Sequence, residues 1–304
     1  MARAFHSSGD LIADRRASYA DMLFDSGDHA AAADLMAQAL ELAPDWTAGR
    51  FRLGEMLEAA GQDEEAAGAW RDVLKRDPED RFGAGLKLAA TGHVAAPATP
   101  PLAYVETLFD AYAPTFESAL LDKLDYRVPE LLAQAIKAHG GPRRYHRVLD
   151  LGCGTGLMGP YVRPVADRLD GMDLSEAMLQ KAAEKQIYDD LRKSDVNEFE
   201  VEPGSLDLVI AADVFVYVGD LDRAFATIAK SLAVDGLFVF SVENQEGSDE
   251  PILQSSLRYT HSQAYIDRLL SAHGMALISL ARETIRLDRG EPLQGLIIVA
   301  KLAD

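Results

Sequence analysis

Apolar and small residues recur at helical spacing through the first ninety positions, and they do so twice in the same register. Leu23 matches Leu57, Ala32 matches Ala66, Met36 matches Trp70 and Ala39 matches Val73, each pair 34 residues apart. Gly27 with Gly61 and Pro44 with Pro78 punctuate the two copies at the same points. Each copy therefore predicts a helix, a turn at "SGDH" or "AGQD", and a second helix closed by "LAPD" or "RDPE". Trp46 and Trp70 are expected as core anchors, and a further short helix is expected over 81–90. The stretch "GHVAAPATPP" (92–101) then loses all periodicity. Its Pro97, Pro100 and Pro101 mark a semi-rigid linker.

From residue 147 the pattern changes to short apolar runs alternating with helical stretches, which predicts a doubly wound α/β sheet. The expected strands are 147–151, 169–174, a weak one at 191–196, 206–212 and 236–243, with helices near 156–166, 175–186 and 221–233. Two last apolar runs, 275–287 and 293–302, are joined by "DRGEP" and read as an antiparallel hairpin. The organisation expected is a helical repeat domain over 1–92, a linker over 93–101 and an α/β domain over 102–304. The first of these resembles the tetratricopeptide repeat in its period, its small residues at the helix crossing and its closing proline. The tryptophan usual near the start of each unit is replaced by Arg16 and Arg50. Two units fall below the roughly three repeats that stand alone. The region is expected to brace the chain, to self-associate or to hold a protein partner.

The stretch "VLDLGCGTGLMG" (148–159) ends a strand in glycines at 152, 154 and 156. A dinucleotide fingerprint would need its third glycine at position 157, which is Leu157, and no lysine follows the turn as in a phosphate loop. Asp150, just ahead of the turn, would repel a pyrophosphate and suits a ligand bearing an ammonium or sulfonium group. Asp173 ends the second strand, where an acid accepts both hydroxyls of a ribose. Taken in order, "VLDLGCGTG", "GMDLSEAML", "SDV" and "LDLVIAADVFVYVGDL" resemble a class I S-adenosylmethionine-dependent methyltransferase. The combination is similar to bacterial predicted methyltransferases that carry an N-terminal tetratricopeptide region, and 108–132 is similar to the segment preceding their sheet.

That resemblance implies a Rossmann-like sheet with S-adenosyl-L-methionine as cofactor, and it implies roles residue by residue. Gly152, Cys153, Gly154 and Gly156 would let the backbone approach the ligand, and Asp150 would serve its methionine end. Asp173 would hold the ribose, with Leu174 and Met178 against the adenine. Asp195 and the Val196 amide would meet the adenine edge, and Ala212 and Asp213 the amino group and the transferred methyl. Tyr112 and Tyr104 are lid candidates or packing residues.

The net charge of −19 argues against a nucleic-acid partner. The single cysteine, Cys153, fits a reducing compartment and rules out an intrachain disulfide. Neither a secretory leader nor a long apolar run is evident, so a cytoplasmic protein without a membrane span is expected. No metal-ligand spacing is present.

The acceptor would lie where the fourth and fifth strands end. An Asn/Asp-Pro-Pro-aromatic signature is lacking after the fourth strand, which argues against adenine-N6 or glutamine-amide methylation. The insertion 243–270 contains "RYTHS", where Arg258 could anchor an anion and Tyr259 or His261 act as base. The alternative there is a helix N-cap at Thr260 or Ser262 with ordinary packing around it. The expected function is methylation of a small molecule on oxygen or nitrogen. A protein or carrier-protein methyltransferase that captures its substrate through the repeats, and a non-catalytic repeat protein retaining the fold, are the alternatives.

Overall fold

The computed structural model describes residues 7–303, and the chain divides into two compact units between Thr107 and Leu108. The division falls inside a helix rather than in the proline-rich stretch.

The first unit holds α1 (Leu11–Asp25), α2 (His29–Leu42), α3 (Thr47–Ala59), α4 (Asp63–Arg76) and α5 (Ala84–Ala90). The two helix pairs follow the 34-residue repeat, and the turns at Gly27 and Gly61 use positive φ that glycine alone adopts without cost. Ala13, Ala17, Ala20, Ala32, Ala33 and Ala39 let α1 and α2 approach closely around Met36 and Met56. Trp70 is completely buried, and its indole fills the space that a side chain at Gly54 would occupy. Trp46 packs against Gly49 and the first core.

α6 (Leu102–Tyr112) runs across the division, and the second unit continues with α7 (Phe116–Lys123), α8 (Val128–Gly140), β1 (Tyr145–Leu151), α9 (Gly159–Val162), β2 (Ala166–Asp173), α10 (Glu176–Glu184) and β3 (Asp190–Lys193). Then follow β4 (Leu206–Ala211), α11 (Asp222–Ser231), β5 (Leu232–Glu243), β6 (Ile252–Leu253), β7 (Tyr259–Thr260), α12 (Gln263–Ala272), β8 (Met275–Asp288) and β9 (Glu291–Leu302). The seven-stranded sheet has the order β3-β2-β1-β4-β5-β9-β8. Neighbours are parallel from β3 to β5, and β9 pairs antiparallel with both β5 and β8. The strand order reverses at β1, so a crevice opens beyond the carboxyl ends of β1 and β4.

The α/β architecture and the closing hairpin agree with expectation. The hairpin turns through Arg289 and Gly290, both at positive φ, as a two-residue turn between twisted strands requires. The helix expected over 156–166 is instead the four-residue α9 followed by a 3₁₀ turn at 163–165. Pro160 and Pro164 interrupt it, since a proline inside a helix removes a donor and clashes with the preceding turn.

Candidate functional site

β1 delivers Asp150 and the glycine turn to the crevice. Gly152, Gly154 and Gly156 have φ of +67°, +54° and +82°, a left-handed backbone that glycine adopts without strain. A side chain at Gly152 would collide with Val214 at the end of β4. The Cys153 amide donates to the Met172 carbonyl at 2.8 Å, tying the turn to β2. Asp173 completes this tie: its Oδ2 accepts from the Gly154 amide and its Oδ1 from the Ser175 amide, each at 2.8 Å. A carboxylate has about four lone-pair positions, so Asp173 keeps capacity to accept from a ligand hydroxyl beyond its backbone amides. Burial raises its pKa, opposed by those backbone amides.

Asp150 is 1% exposed. Tyr188 donates its hydroxyl to Asp150 Oδ2 at 2.6 Å, while Oδ1 is buried without a hydrogen-bond partner. Burial lifts the Asp150 pKa to about 7, with the Asp173 charge adding to it and the Tyr188 bond opposing it. An orphaned, buried carboxylate oxygen beside a bare glycine turn could pair with a cationic ligand group. The donor set thus fits a sulfonium nucleoside: Asp150 for the ammonium end and Asp173 for the ribose.

The remaining expected cofactor residues take varied positions. Cys153 is buried in the turn, and burial pushes its thiol pKa up. Leu174 is half-buried, whereas Met178 is completely covered beneath the first turn of α10. Of this pair only Leu174 presents surface to an adenine. Asp195 turns its Oδ1 back to the Asn197 amide at 3.0 Å, and Val196 leans on the main core. Ala212 packs against the other face of the sheet.

Tyr112 lies in an aromatic group with Phe116, Phe109 and Tyr217, at centroid distances of 5.2 Å (Tyr112–Phe116) and 4.9 Å (Phe109–Tyr217). Phe116 in turn approaches Gly154. Glu117 accepts from Thr155 and from Lys185, each at 2.6 Å, and Asp110 accepts from Ser175. Residues 109–117 are therefore fastened over the glycine turn. Tyr104 is not among them, because its ring packs on Gly83 in the helical unit.

At the ends of β4 and β5 a charged group closes the crevice. Asp213 takes a left-handed backbone (φ +59°) and receives Arg286 Nη1 on Oδ2 at 2.6 Å, leaving Oδ1 buried and unpartnered. Arg286 Nη2 donates to Glu243 Oε1. Arg258 Nη1 lies 3.6 Å from the same oxygen, and its Nε donates to the Tyr217 hydroxyl at 3.2 Å. Burial raises the Glu243 pKa, against the pull of Arg286 and Arg258. Burial works against the Arg258 charge, yet Tyr217, Asp213 and Glu243 together hold its pKa above the ordinary value.

Of "RYTHS", the structure brings only Arg258 to this group. Tyr259 is 2% exposed within β7, and its pKa is pushed up to about 12 by burial. His261 is completely buried, its Nε2 3.2 Å from the Gly219 carbonyl and its ring stacked on Tyr265. Burial lowers its pKa to about 4. Neither joins the group of Asp213, Glu243 and Arg258 by a hydrogen bond: Tyr259 is buried in β7, and His261 is buried with its Nε2 on the Gly219 carbonyl and its Nδ1 unpartnered. With Tyr265, whose hydroxyl accepts from the Leu221 amide at 3.0 Å, His261 pins the loop after β4. Ser262 caps α12 by accepting from the Tyr265 amide, which is the alternative reading of this motif.

Sequence reasoning did not single out Glu243, Arg286, Tyr188 or Tyr217. Glu243 carries a legible signal: like Asp150 and Asp173 it is an acid at the carboxyl end of a strand pointing into the crevice. Among the described residues no group of three or more metal-ligating side chains is gathered, and no helix is long and apolar enough to cross a membrane.

Known proteins resemble both parts of the chain. A methyltransferase domain model matches residues 149–240, and a tetratricopeptide repeat model matches residues 23–88. The chain is 30% identical over 193 residues to a probable S-adenosylmethionine-dependent methyltransferase of Saccharomyces cerevisiae, covering 60% of this chain and 62% of that protein. It is 31% identical over 118 residues to a malonyl-[acyl-carrier protein] O-methyltransferase of Chlorobium phaeovibrioides, covering 36% of this chain and 45% of that protein. The chain thus spans less than two thirds of either relative. Among solved structures, the [4+2]-cyclase SpnF aligns with a TM-score of 0.56 at 17% identity, covering 68% of this chain and 98% of that one. That likeness is one of fold.

Proposed function

We propose that this chain, which carries an S-adenosylmethionine-dependent methyltransferase domain behind a tetratricopeptide region, methylates a small molecule on oxygen or nitrogen. The observation that carries the reading is the pairing of two features at one crevice. One is the bare glycine turn with the unpartnered Asp150 Oδ1. The other is the polar group of Asp213, Glu243, Arg258 and Tyr217 across from it.

When bound, the cofactor supplies an electrophilic methyl on a sulfonium, a group that needs alignment more than activation. Asp173 would hold the ribose hydroxyls and Asp150 the ammonium, both set by the turn 152–156. Tyr112, Phe109 and Phe116 cover the crevice and exclude water. Arg258 holds an acidic portion of the acceptor, since it is the less buried of the two guanidinium groups, 17% exposed against 1% for Arg286. Where the acceptor is a hydroxyl or an ammonium, the Asp213 Oδ1 takes its proton. A carboxylate acceptor needs no base.

A second reading, methylation of a protein or acyl-carrier substrate, is favoured by the malonyl-carrier relatives together with the tetratricopeptide region. Transfer of labelled methyl from S-adenosylmethionine by the full-length chain into cell extract, split into small and macromolecular fractions, decides between them. Label in the small fraction supports the first reading, label on protein the second. Absence of transfer together with absence of cofactor binding refutes both.

A further inference from the structure

We infer that Tyr188 is a positioning residue that aims the Asp150 carboxylate into the cofactor cradle, a role that rests on the methyl-donor reading above. Tyr188 lies between α10 and β3, outside every motif that suggested a cofactor. Three glycines from three elements make room for its ring. A Cβ at Gly156 would lie 2.9 Å from Tyr188 Cε2, one at Gly159 3.2 Å from its Oη, and one at Gly171 3.0 Å from its Cδ1. The phenol is thus wedged behind the turn, against the start of α9 and the middle of β2.

The consequence falls on Asp150. With Oδ2 held by the Tyr188 hydroxyl at 2.6 Å, the carboxylate has one setting, and Oδ1 is left buried without a hydrogen-bond partner. The titratable groups facing Asp150 are Tyr188, Asp173 from β2, the Cys153 thiol of the turn and the Tyr126 phenol ahead of α8. None of these is a lysine or an arginine, so a ligand ammonium is the counter-charge that the site calls for. Burial, and then the neighbouring Asp150, keep the Tyr188 hydroxyl protonated. It therefore remains a donor, and its bond favours the ionised carboxylate that a cationic ligand needs.

Tyr188→Phe keeps the ring in the space between the three glycines and removes only the donor. Two measurements on the full chain test the role. In ligand-free protein, the Asp150 side-chain carbon is titrated by NMR. Its midpoint, about 7 in the wild type, is expected to rise by roughly 1–2 pH units in the variant, as loss of a hydrogen bond to a charged group implies. By calorimetry, S-adenosylhomocysteine should bind the variant roughly 10–100-fold more weakly near neutral pH, with the two affinities converging at alkaline pH where Asp150 is ionised in both. Asp150→Asn should abolish that acid limb. An unchanged Asp150 midpoint, or equal affinities for wild type and Tyr188→Phe across the pH range, overturns the role of Tyr188 alone. A wild type that fails to bind the nucleoside at any pH overturns the methyl-donor reading and this inference with it.

Discussion

Arg286→Met is the most informative single perturbation of the acceptor side. Arg286 is 1% exposed and donates to both Asp213 and Glu243, so it is the buried cation that lets two carboxylates share the end of the sheet. Methionine fills a similar volume without charge. The acids are then left facing one another, with Arg258 at 3.6 Å from Glu243 the nearest remaining cation named at this site. Removing one partner from a buried ion pair costs about 3–5 kcal/mol, because the other charge remains desolvated. At ~2–4 °C per kcal/mol for a unit of this size, Tm should fall by roughly 6–20 °C.

The loss should depend on pH, and its sign follows from Glu243. Burial already raises its folded-state pKa in the presence of Arg286, and removing the guanidinium raises it further. The folded variant then binds more protons than the unfolded chain, so its stability falls as pH rises through that interval. Wild type and variant should lie closest near pH ~5 and furthest apart near pH ~8, on either side of the interval over which a buried carboxyl titrates. Calorimetry or far-ultraviolet circular dichroism is the right assay. Tryptophan fluorescence is not, because Trp46 and Trp70, the only tryptophans of the chain, both lie in the helical unit. A loss below about 1 kcal/mol that is flat with pH would falsify the claim that Arg286 neutralises the two acids, since surface pairs behave that way.

Asp173→Ala should weaken S-adenosylhomocysteine binding at least ~100-fold, since charge-assisted hydrogen bonds are lost; calorimetry at matched folded fraction checks it, and equal affinity would exclude Asp173 from the cofactor site. His261→Asn should lower Tm while leaving the pH profile of kcat/KM unmoved, and loss of an ionisation from that profile would restore His261 as the base. Gly54→Ala drives a methyl into the Trp70 indole and should destabilise the helical unit by ~1–3 kcal/mol. Urea unfolding followed by tryptophan fluorescence reads this directly, and an unchanged midpoint would show that the indole can move aside.

The glycine turn with its two flanking acids was legible because its signals are local. A strand, an acid, alternate glycines and a second acid lie within 148–173, and each needs only its own neighbours to make sense. The acceptor side was not, and "RYTHS" shows why. Arg, Tyr and His lie within four consecutive positions, yet Tyr259 pairs into β7 and His261 turns to the Gly219 carbonyl, so that proximity in sequence did not become proximity in the crevice. Pro160 and Pro164 are the local signal that limits the helix over 156–166 to the four residues of α9 and a 3₁₀ turn.

Arg286 was hidden for a different reason. In a strand of strict alternation, Ile285 and Arg286 would face opposite sides, and an arginine beside a core isoleucine reads as solvent-facing. The register of β8 against β9 shifts between Thr284 and Arg286, and both Ile285 and Arg286 are buried. Such a bulge re-aims one side chain without breaking the hairpin. Gly295 of β9, which pairs with Glu243 of β5, carries no side chain where β8 crosses it, and a Cβ there would strike Ile285. Gly295 thus makes room for Ile285, while the Arg286 guanidinium reaches Glu243 and Asp213. The antiparallel hairpin, unnecessary to a nucleotide cradle, thus contributes the cation that lets acids stand at the ends of β4 and β5. A variant that restores alternation by deleting the bulge residue should lose that cation from the crevice while keeping the glycine turn intact, separating acceptor chemistry from cofactor binding in one chain.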